Sequence, residues 1–386
     1  SLLGRVISNS SSVIWCGVEH NAYHPLDSMF FVLPNGMTID SAAHDCEERF
    51  LAEAPHLAGG LLELRDRVRA DTNLCGRIRH KSLMKNTMGY SLNAFLDYDA
   101  PVAMLSHLMV GSEGTLGFIA EAVLRTIPDY PLKHTGMLFF DDVPSACSAI
   151  VPLRDSGART LELMDHASLI SVQHQPGVPQ RIPDLPPTAA ALLVEYQAST
   201  EGELSDFLTS CDEVMPALSL QSDPIFTRDP VRQDNLWSVR KGLIASVGAE
   251  RKRGTSMIIE DVVFPLEALA EGVGVLQELF STHRYDDAII FGHAKDGNLH
   301  FVLNQGFGSD DEIKRFDTVL NELAQIVAVR YGGALKGEHS TGRNMAPFLE
   351  LEWGAEAVAI MRELKRLVDP DNLLNPGVLI NHNPEA

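Results

Sequence analysis

Apolar runs broken by turn residues give the chain its outline. Residues 30–33 and 37–40 flank Pro34-Asn35-Gly36, the pattern of a hairpin. A long stretch rich in Glu, Leu, Arg and Ala follows, with Leu61, Leu62, Leu64, Val68 and Ile78 as the apolar positions of helix that runs to about His80. Residues 92–95 predict a short helix, and residues 111–117 a glycine-rich turn between two apolar strands, 108–110 and 118–120. Pro128-Asp129-Tyr130-Pro131 marks a boundary. Beyond it strands are predicted over 137–140, 160–164 and 191–196, helices over 145–154 and 203–215, and a proline-rich loop over 175–187. The second half repeats the scheme, with a strand over 256–264, a helix over 266–280, a hairpin around Asp296-Gly297 and a helix over 313–329. This β-α-β-β-α order is ferredoxin-like and predicts an antiparallel sheet backed by helices, with the hairpin at its centre. A last helix presents Val358, Met361, Leu364 and Val368 on one face and stops before Pro370.

The hairpin carries chemistry. With Asp296-Gly297 as its two turn residues, His293 falls directly across from His300, and opposed residues share a face with Cβ atoms about 5 Å apart. Two imidazoles so placed can grip one divalent ion. Lys336-Gly337-Glu338-His339-Ser340-Thr341-Gly342-Arg343 crowds an acid, an imidazole, hydroxyls and an arginine between glycines. Glu338 would complete a two-imidazole, one-carboxylate site with open positions, suited to zinc or manganese, and His339, facing elsewhere, would be free to act as a base.

Composition narrows the field. At 386 residues the chain exceeds what one core usually supports, and 45% hydrophobic residues suffice for two. A formal net charge of -21 argues against nucleic acid, whose binding rests on phosphate neutralisation by Lys and Arg. The five cysteines, Cys16, Cys46, Cys75, Cys147 and Cys211, have no paired spacing, which suits a reducing compartment and leaves no iron–sulfur cluster within the chain. No apolar run has the length of a membrane span and no signal pattern opens the sequence. The expected location is the cytoplasm, with room for peripheral association with the inner membrane.

Four motifs in order, Gly111-Ser112-Glu113-Gly114-Thr115-Leu116-Gly117, the histidine hairpin, the knot after Lys336 and Leu374-Asn375-Pro376-Gly377, resemble the FAD-linked oxidases of the vanillyl-alcohol-oxidase type. Within them the chain resembles the D-2-hydroxyacid dehydrogenases for D-lactate, glycolate and D-2-hydroxyglutarate. Lys85-Asn86-Thr87-Met88-Gly89-Tyr90 and residues 343–353 are most similar to large bacterial members with a C-terminal iron–sulfur domain. The resemblance implies an α+β chain. Residues 1–128 would be the C-terminal part of an FAD-binding domain whose first lobe is absent, 129–345 a ferredoxin-like substrate and metal-binding cap, and 346–386 a segment returning to the FAD domain. It implies flavin contacts from Asn9, Ser10, Gly111, Ser112, Gly114, Thr115, Gly117 and Asn375. With that first lobe absent, and with Arg5 and Val13 standing where the family has glycines, this chain alone is expected to hold FAD weakly or not at all.

Residues 235–242 by themselves read as a helix face with Leu236, Trp237, Leu243 and Ile244 buried and Arg240 solvated. The match of Trp237 and Arg240 to the family's Trp-x-x-Arg motif implies instead that Arg240 clamps the substrate carboxylate, for which a guanidinium suits by its bidentate geometry. Ile259 and Val302 replace a lysine and an asparagine of some members, which leaves the rest of the pocket unspecified.

The reading implied is a D-2-hydroxy acid dehydrogenase of the D-lactate or D-2-hydroxyglutarate type. In it the metal lowers the pKa of the substrate hydroxyl, His339 takes the proton and FAD takes the hydride. Electrons would leave to an iron–sulfur domain, a quinone or an electron-transfer flavoprotein outside the chain, and a homodimer is compatible with it. Two rivals stay open: a metal-dependent hydrolase or lyase using the same two histidines and glutamate without flavin, and a non-catalytic relative.

Overall fold

A computed structural model of the protein describes residues 7, 17–175, 178–180 and 182–381. Asn9, Ser10, Arg5, Val13 and part of the proline-rich loop lie outside them. The chain divides into two units, residues 1–127 with 334–386, and residues 128–333. The second of these borders lies at Gly333.

The first unit opens with the expected hairpin. Strands β1 (Leu26–Val32) and β2 (Thr38–Asp40) pair antiparallel with Val32 opposite Thr38, turning at Gly36, whose φ of 83° favours glycine. Three helices follow, α1 (Cys46–Glu53), α2 (Pro55–Ala70) and α3 (Thr72–Ser82). Pro55 opens α2, and the Asp71 carboxylate accepts the Leu74 N–H at the start of α3. They turn Leu61, Leu64, Val68 and Ile78 into the core. Ahead of the glycine loop the chain corrects the strand expectation: Leu108 and Met109 end helix α4 (Pro101–Met109). Pro101 preorganises its first turn and the Glu47 carboxylate accepts the Val102 and Ala103 N–H groups there, while burial on every side hides the helical period. Strand β3 (Phe118–Leu124) then pairs with β1.

The second unit is built on a seven-stranded sheet with every pairing antiparallel. Its first half runs β4 (Leu132–Phe140), helices α5 (Val143–Ser148) and α6 (Ile150–Asp155), β5 (Thr160–Asp165), β6 (Ala190–Ala198) and α7 (Glu201–Val214). A short strand β7 (Ile225–Thr227) and the long helix α8 (Pro230–Glu250) lead to the second half: β8 (Thr255–Val263), α9 (Leu269–Thr282), β9 (Ile289–His293), β10 (Asn298–Gly306) and α10 (Asp310–Ala324). The strand order is β7-β4-β6-β5-β9-β10-β8, so two βαββα halves meet in mirror order along the β5–β9 seam. Strand β5 is thus central, and the histidine hairpin lies beside the centre instead of at it.

Parity decides what each face carries, because directly paired residues share a face. Thr135, Glu195, Thr160, Glu162, His293 and Asn298 are joined by pairings across β4, β6, β5, β9 and β10, and therefore line one face. Helix α8 covers that face, pinned by the Trp237 indole N–H to Glu195 (2.7 Å). Tyr196, of opposite parity, bonds Ser156 at the end of α6 on the other face (2.8 Å).

Residues 334–386 belong to the first unit and end in helix α11 (Leu349–Val368). Gly354, at φ 78°, interrupts α11 where the Arg77 guanidinium donates to the Trp353 carbonyl (2.6 Å). Val358, Met361, Leu364 and Val368 are buried as their spacing requires.

Candidate active site

The hairpin turn is longer than Asp296-Gly297 alone. Residues 294–296 form a 3-10 turn and Gly297 closes it at φ 66°, so His293 pairs with Asn298 and His300 with Phe291. The expected register was two residues off. An even shift keeps every side chain on its face, so His293 and His300 still share one, as diagonal neighbours. Their Nε2 atoms lie 3.3 Å apart with the rings nearly perpendicular, at 86°, and both are buried. Gly297 cannot be replaced freely, because a Cβ there would stand 2.1 Å from the Phe264 carbonyl oxygen.

Sequence reasoning missed Glu162. On β5 directly opposite His293, it is 1% exposed, and each of its oxygens takes one hydrogen bond: Oε1 from His293 Nδ1 (2.6 Å), Oε2 from Arg240 Nε (2.7 Å). Burial pushes the Glu162 pKa up, but its electrostatic and hydrogen-bond interactions with His293 and Arg240 outweigh it and hold the carboxyl below its ordinary value. The available signal was an acid inside an apolar strand whose six residues all turn out buried, since a buried carboxylate demands partners. Arg240 is accordingly not solvated. It is 8% exposed, stacks with Cζ 4.3 Å from the centre of the Phe291 ring, and spends only its Nε edge on Glu162. Its hydrogen bond to Glu162 is made at Nε, and the forked Nη end is the one that can grip a carboxylate.

Behind His300, on the adjacent strand and directly opposite it, stands the fully buried Asp261. Asn298 donates to the Val262 carbonyl (3.2 Å) and, more weakly, to Asp261 (3.4 Å). The Oδ1 atom of Asn298 is buried and has no partner among the described residues.

The residues present fit a divalent ion. Zinc–imidazole bonds of about 2.0–2.1 Å at a tetrahedral angle imply an N···N separation of about 3.3 Å, the spacing found here. The two nitrogens are also within hydrogen-bonding distance of each other. A carboxylate on the remote nitrogen of His293 is the usual company of a metal-bound histidine.

The other sequence-predicted residues lie in the first unit. Glu338 forms a buried ion pair with Lys85 (2.7 Å), while His339 beside it is exposed. Their turn is strung on residues 87–89: the Thr87 N–H donates to the Lys336 carbonyl, Ser340 N–H to the Thr87 hydroxyl, and Gly89 N–H to Thr341 Oγ1. In the glycine loop Gly111, Glu113 and Gly114 have φ of 76°, 51° and 69°. Ser112 and Thr115 spend their hydroxyl hydrogens within the loop, on the Met109 and Ser112 carbonyls. Gly117 serves packing, since a Cβ would meet the Val32 carbonyl at 2.9 Å. Nothing lies within 4 Å of a Cβ built on Gly114, and the Glu113 and Gly114 N–H groups have no partner among the described residues. An open cradle with unspent donors fits a flavin's polar edge. Asn375 donates to the Glu113 carbonyl (2.6 Å), fastening the tail to this loop.

The antiparallel α+β sheet unit that carries the buried two-histidine hairpin has a clear family assignment. The family model described as FAD linked oxidases, C-terminal domain matches residues 131–379, and the chain belongs to that family. It is 28% identical over 277 residues to glycolate oxidase subunit GlcD of Bacillus subtilis (strain 168), covering 71% of this chain and 56% of that protein. It is 27% identical to D-lactate dehydrogenase of Anaerostipes hadrus, covering 97% and 82%, and 26% identical to D-2-hydroxyglutarate dehydrogenase of Xanthomonas citri pv. viticola, covering 78% and 60%. The chain thus spans little more than half of the glycolate oxidase subunit. Among solved structures, substrate-bound p-cresol methylhydroxylase shares the fold, with a TM-score of 0.59 at 13% identity over 94% of this chain and 67% of that one. No helix among the described residues is long and apolar enough to cross a membrane.

Proposed function

We propose that the protein is an FAD- and metal-dependent dehydrogenase that oxidises a D-2-hydroxy acid, of the D-lactate or D-2-hydroxyglutarate type, to the 2-keto acid. The observation that carries this reading is a metal-sized bite between two buried imidazoles, joined through Glu162 to an arginine held at its Nε. The similarity to D-lactate and D-2-hydroxyglutarate dehydrogenases supports the same substrate class.

His293 and His300 hold zinc or manganese, and Glu338, kept in place by Lys85, is proposed from the sequence as the carboxylate ligand. The glycine loop, Asn375, Asn9 and Ser10 are the residues that would hold FAD. When bound, the metal acidifies the substrate hydroxyl and the flavin accepts the hydride. Arg240 grips the substrate carboxylate, and His339, exposed on its turn, takes the hydroxyl proton. Electrons pass on to an acceptor outside the chain, an iron–sulfur domain, a quinone or an electron-transfer flavoprotein.

The test is a screen of D-2-hydroxy acids with the full-length protein and an artificial electron acceptor, before and after chelation. Turnover with bleaching of the flavin absorbance, lost on chelation and restored by zinc or manganese, is the expected result. Hydrolytic or lyase activity from protein without flavin would replace this reading with a metal hydrolase.

A further inference from the structure

We propose that Glu162 is a positioning residue that ties the metal-binding histidine to the substrate clamp, one carboxylate oxygen for each. The inference rests on the function proposed above and deepens it. Both groups that face Glu162 are donors at the atoms of contact. Arg240 Nε always carries hydrogen, and His293 Nδ1, 2.6 Å from a carboxylate oxygen, must carry one too. Its other nitrogen is then a bare lone pair, so the tautomer that binds metal is fixed before any metal arrives.

The same carboxylate orients the clamp. Held at Nε by Glu162 and laid over Phe291, the guanidinium is fixed in its plane, with the hydrogen bond to Glu162 made at Nε and not at the Nη atoms. Glu162 sits on the central strand, at the seam where the two halves of the sheet meet, and is buried with both partners. A rigid, planar carboxylate on a rigid strand therefore sets the span between the group that binds the metal and the group that binds the substrate carboxylate.

The isosteric amide separates this role from packing. Glutamine has one acceptor oxygen for two N–H donors, and its own NH2 must confront the donor it fails to satisfy. In the full-length flavoprotein stripped of metal and titrated calorimetrically with zinc or manganese, Glu162→Gln should bind metal about 10–100-fold more weakly than the parent. The KM for the 2-hydroxy acid should rise with it, while kcat at saturating metal and substrate changes less than KM. Should Glu162→Gln not fold, Arg240→Met supplies the second arm. Losing the arginine leaves Glu162 wholly to His293 and makes that imidazole more basic, so metal affinity should rise several-fold although Arg240 ligates nothing. Unchanged metal affinity in whichever of these variants folds would overturn the tie while leaving the proposed function standing. A parent protein that binds no metal would overturn both.

Discussion

His293 and His300 bring their Nε2 atoms to 3.3 Å from diagonal positions of one hairpin, not from opposed ones. Directly opposed imidazoles about 5 Å apart at Cβ would have to lean toward one another to share an ion. The diagonal spacing lets the rings meet edge to face, at 86°. Each histidine contributes one of the few ligands, so His293→Ala and His300→Ala should each lose stoichiometric zinc or manganese on elemental analysis. Full retention in both would remove the metal from the site.

The turn that sets this diagonal depends on Gly297. Alanine there would carry a Cβ at positive φ and drive it against the Phe264 carbonyl. Gly297→Ala should cost on the order of 1–3 kcal/mol or more and weaken metal binding with it. A melting temperature and metal affinity equal to the parent's would mean that the turn adapts without strain.

Much of this was legible in the sequence, and the failures have physical reasons. Alternation and turn residues exposed the hairpins and the repeated β-α-β-β-α order, because each half buries its own sheet face. The pairing of His293 with Asn298 was not readable, since Asp-Gly marks a turn without fixing its length, whereas parity survives any even error. The apolar run at 108–110 reads as a strand although Leu108 and Met109 end helix α4, because a helix buried all round shows no 3.6-residue stripe. The role of Glu162 was hidden for another reason, although its place in an apolar strand was a signal. Its partners His293 and Arg240 are brought to it by the fold from far along the chain, and no local pattern joins the three.

Arg240 serves two partners, and its removal should therefore register twice. Arg240→Met should raise KM for 2-hydroxy acids by about 30-fold, corresponding to about 2 kcal/mol for a charge-assisted bidentate pair. It should also lower thermal stability, because Glu162 keeps its buried charge with one donor fewer. Michaelis constants and melting temperature check the two effects separately, and an unchanged KM in an active enzyme would make Arg240 purely structural.

Glu113 adds a pH dependence in the glycine loop. Burial raises its carboxyl from 4.5 to about 7, against the pull of the Gly342 and Thr341 N–H groups. The folded protein thus binds a proton more tightly than the unfolded chain does. Its contribution to stability is complete below pH 4.5 and is lost as pH rises through about 7. Urea midpoints of the parent, relative to Glu113→Gln, should fall across that window, since the amide keeps the shape without the titration. Parallel curves for the two proteins would show that Glu113 ionises as an ordinary surface acid.

His339 is the residue on which the proposed proton transfer depends. It follows Glu338 on the same turn, yet Glu338 is buried against Lys85 while His339 is exposed, so the two neighbours face different surroundings. A base is needed because the substrate hydroxyl must give up its proton as the hydride leaves, and a positioned imidazole typically supplies about 10²–10⁴-fold. His339→Ala should lower the rate of flavin reduction by about that factor in stopped-flow measurements on the full-length protein, with metal content intact. A histidine that merely braced the turn would instead lower stability and leave the rate and its pH profile alone. If the variant reduces its flavin as fast as the parent at every pH, the proton goes elsewhere, and the mechanism must be rebuilt around another base.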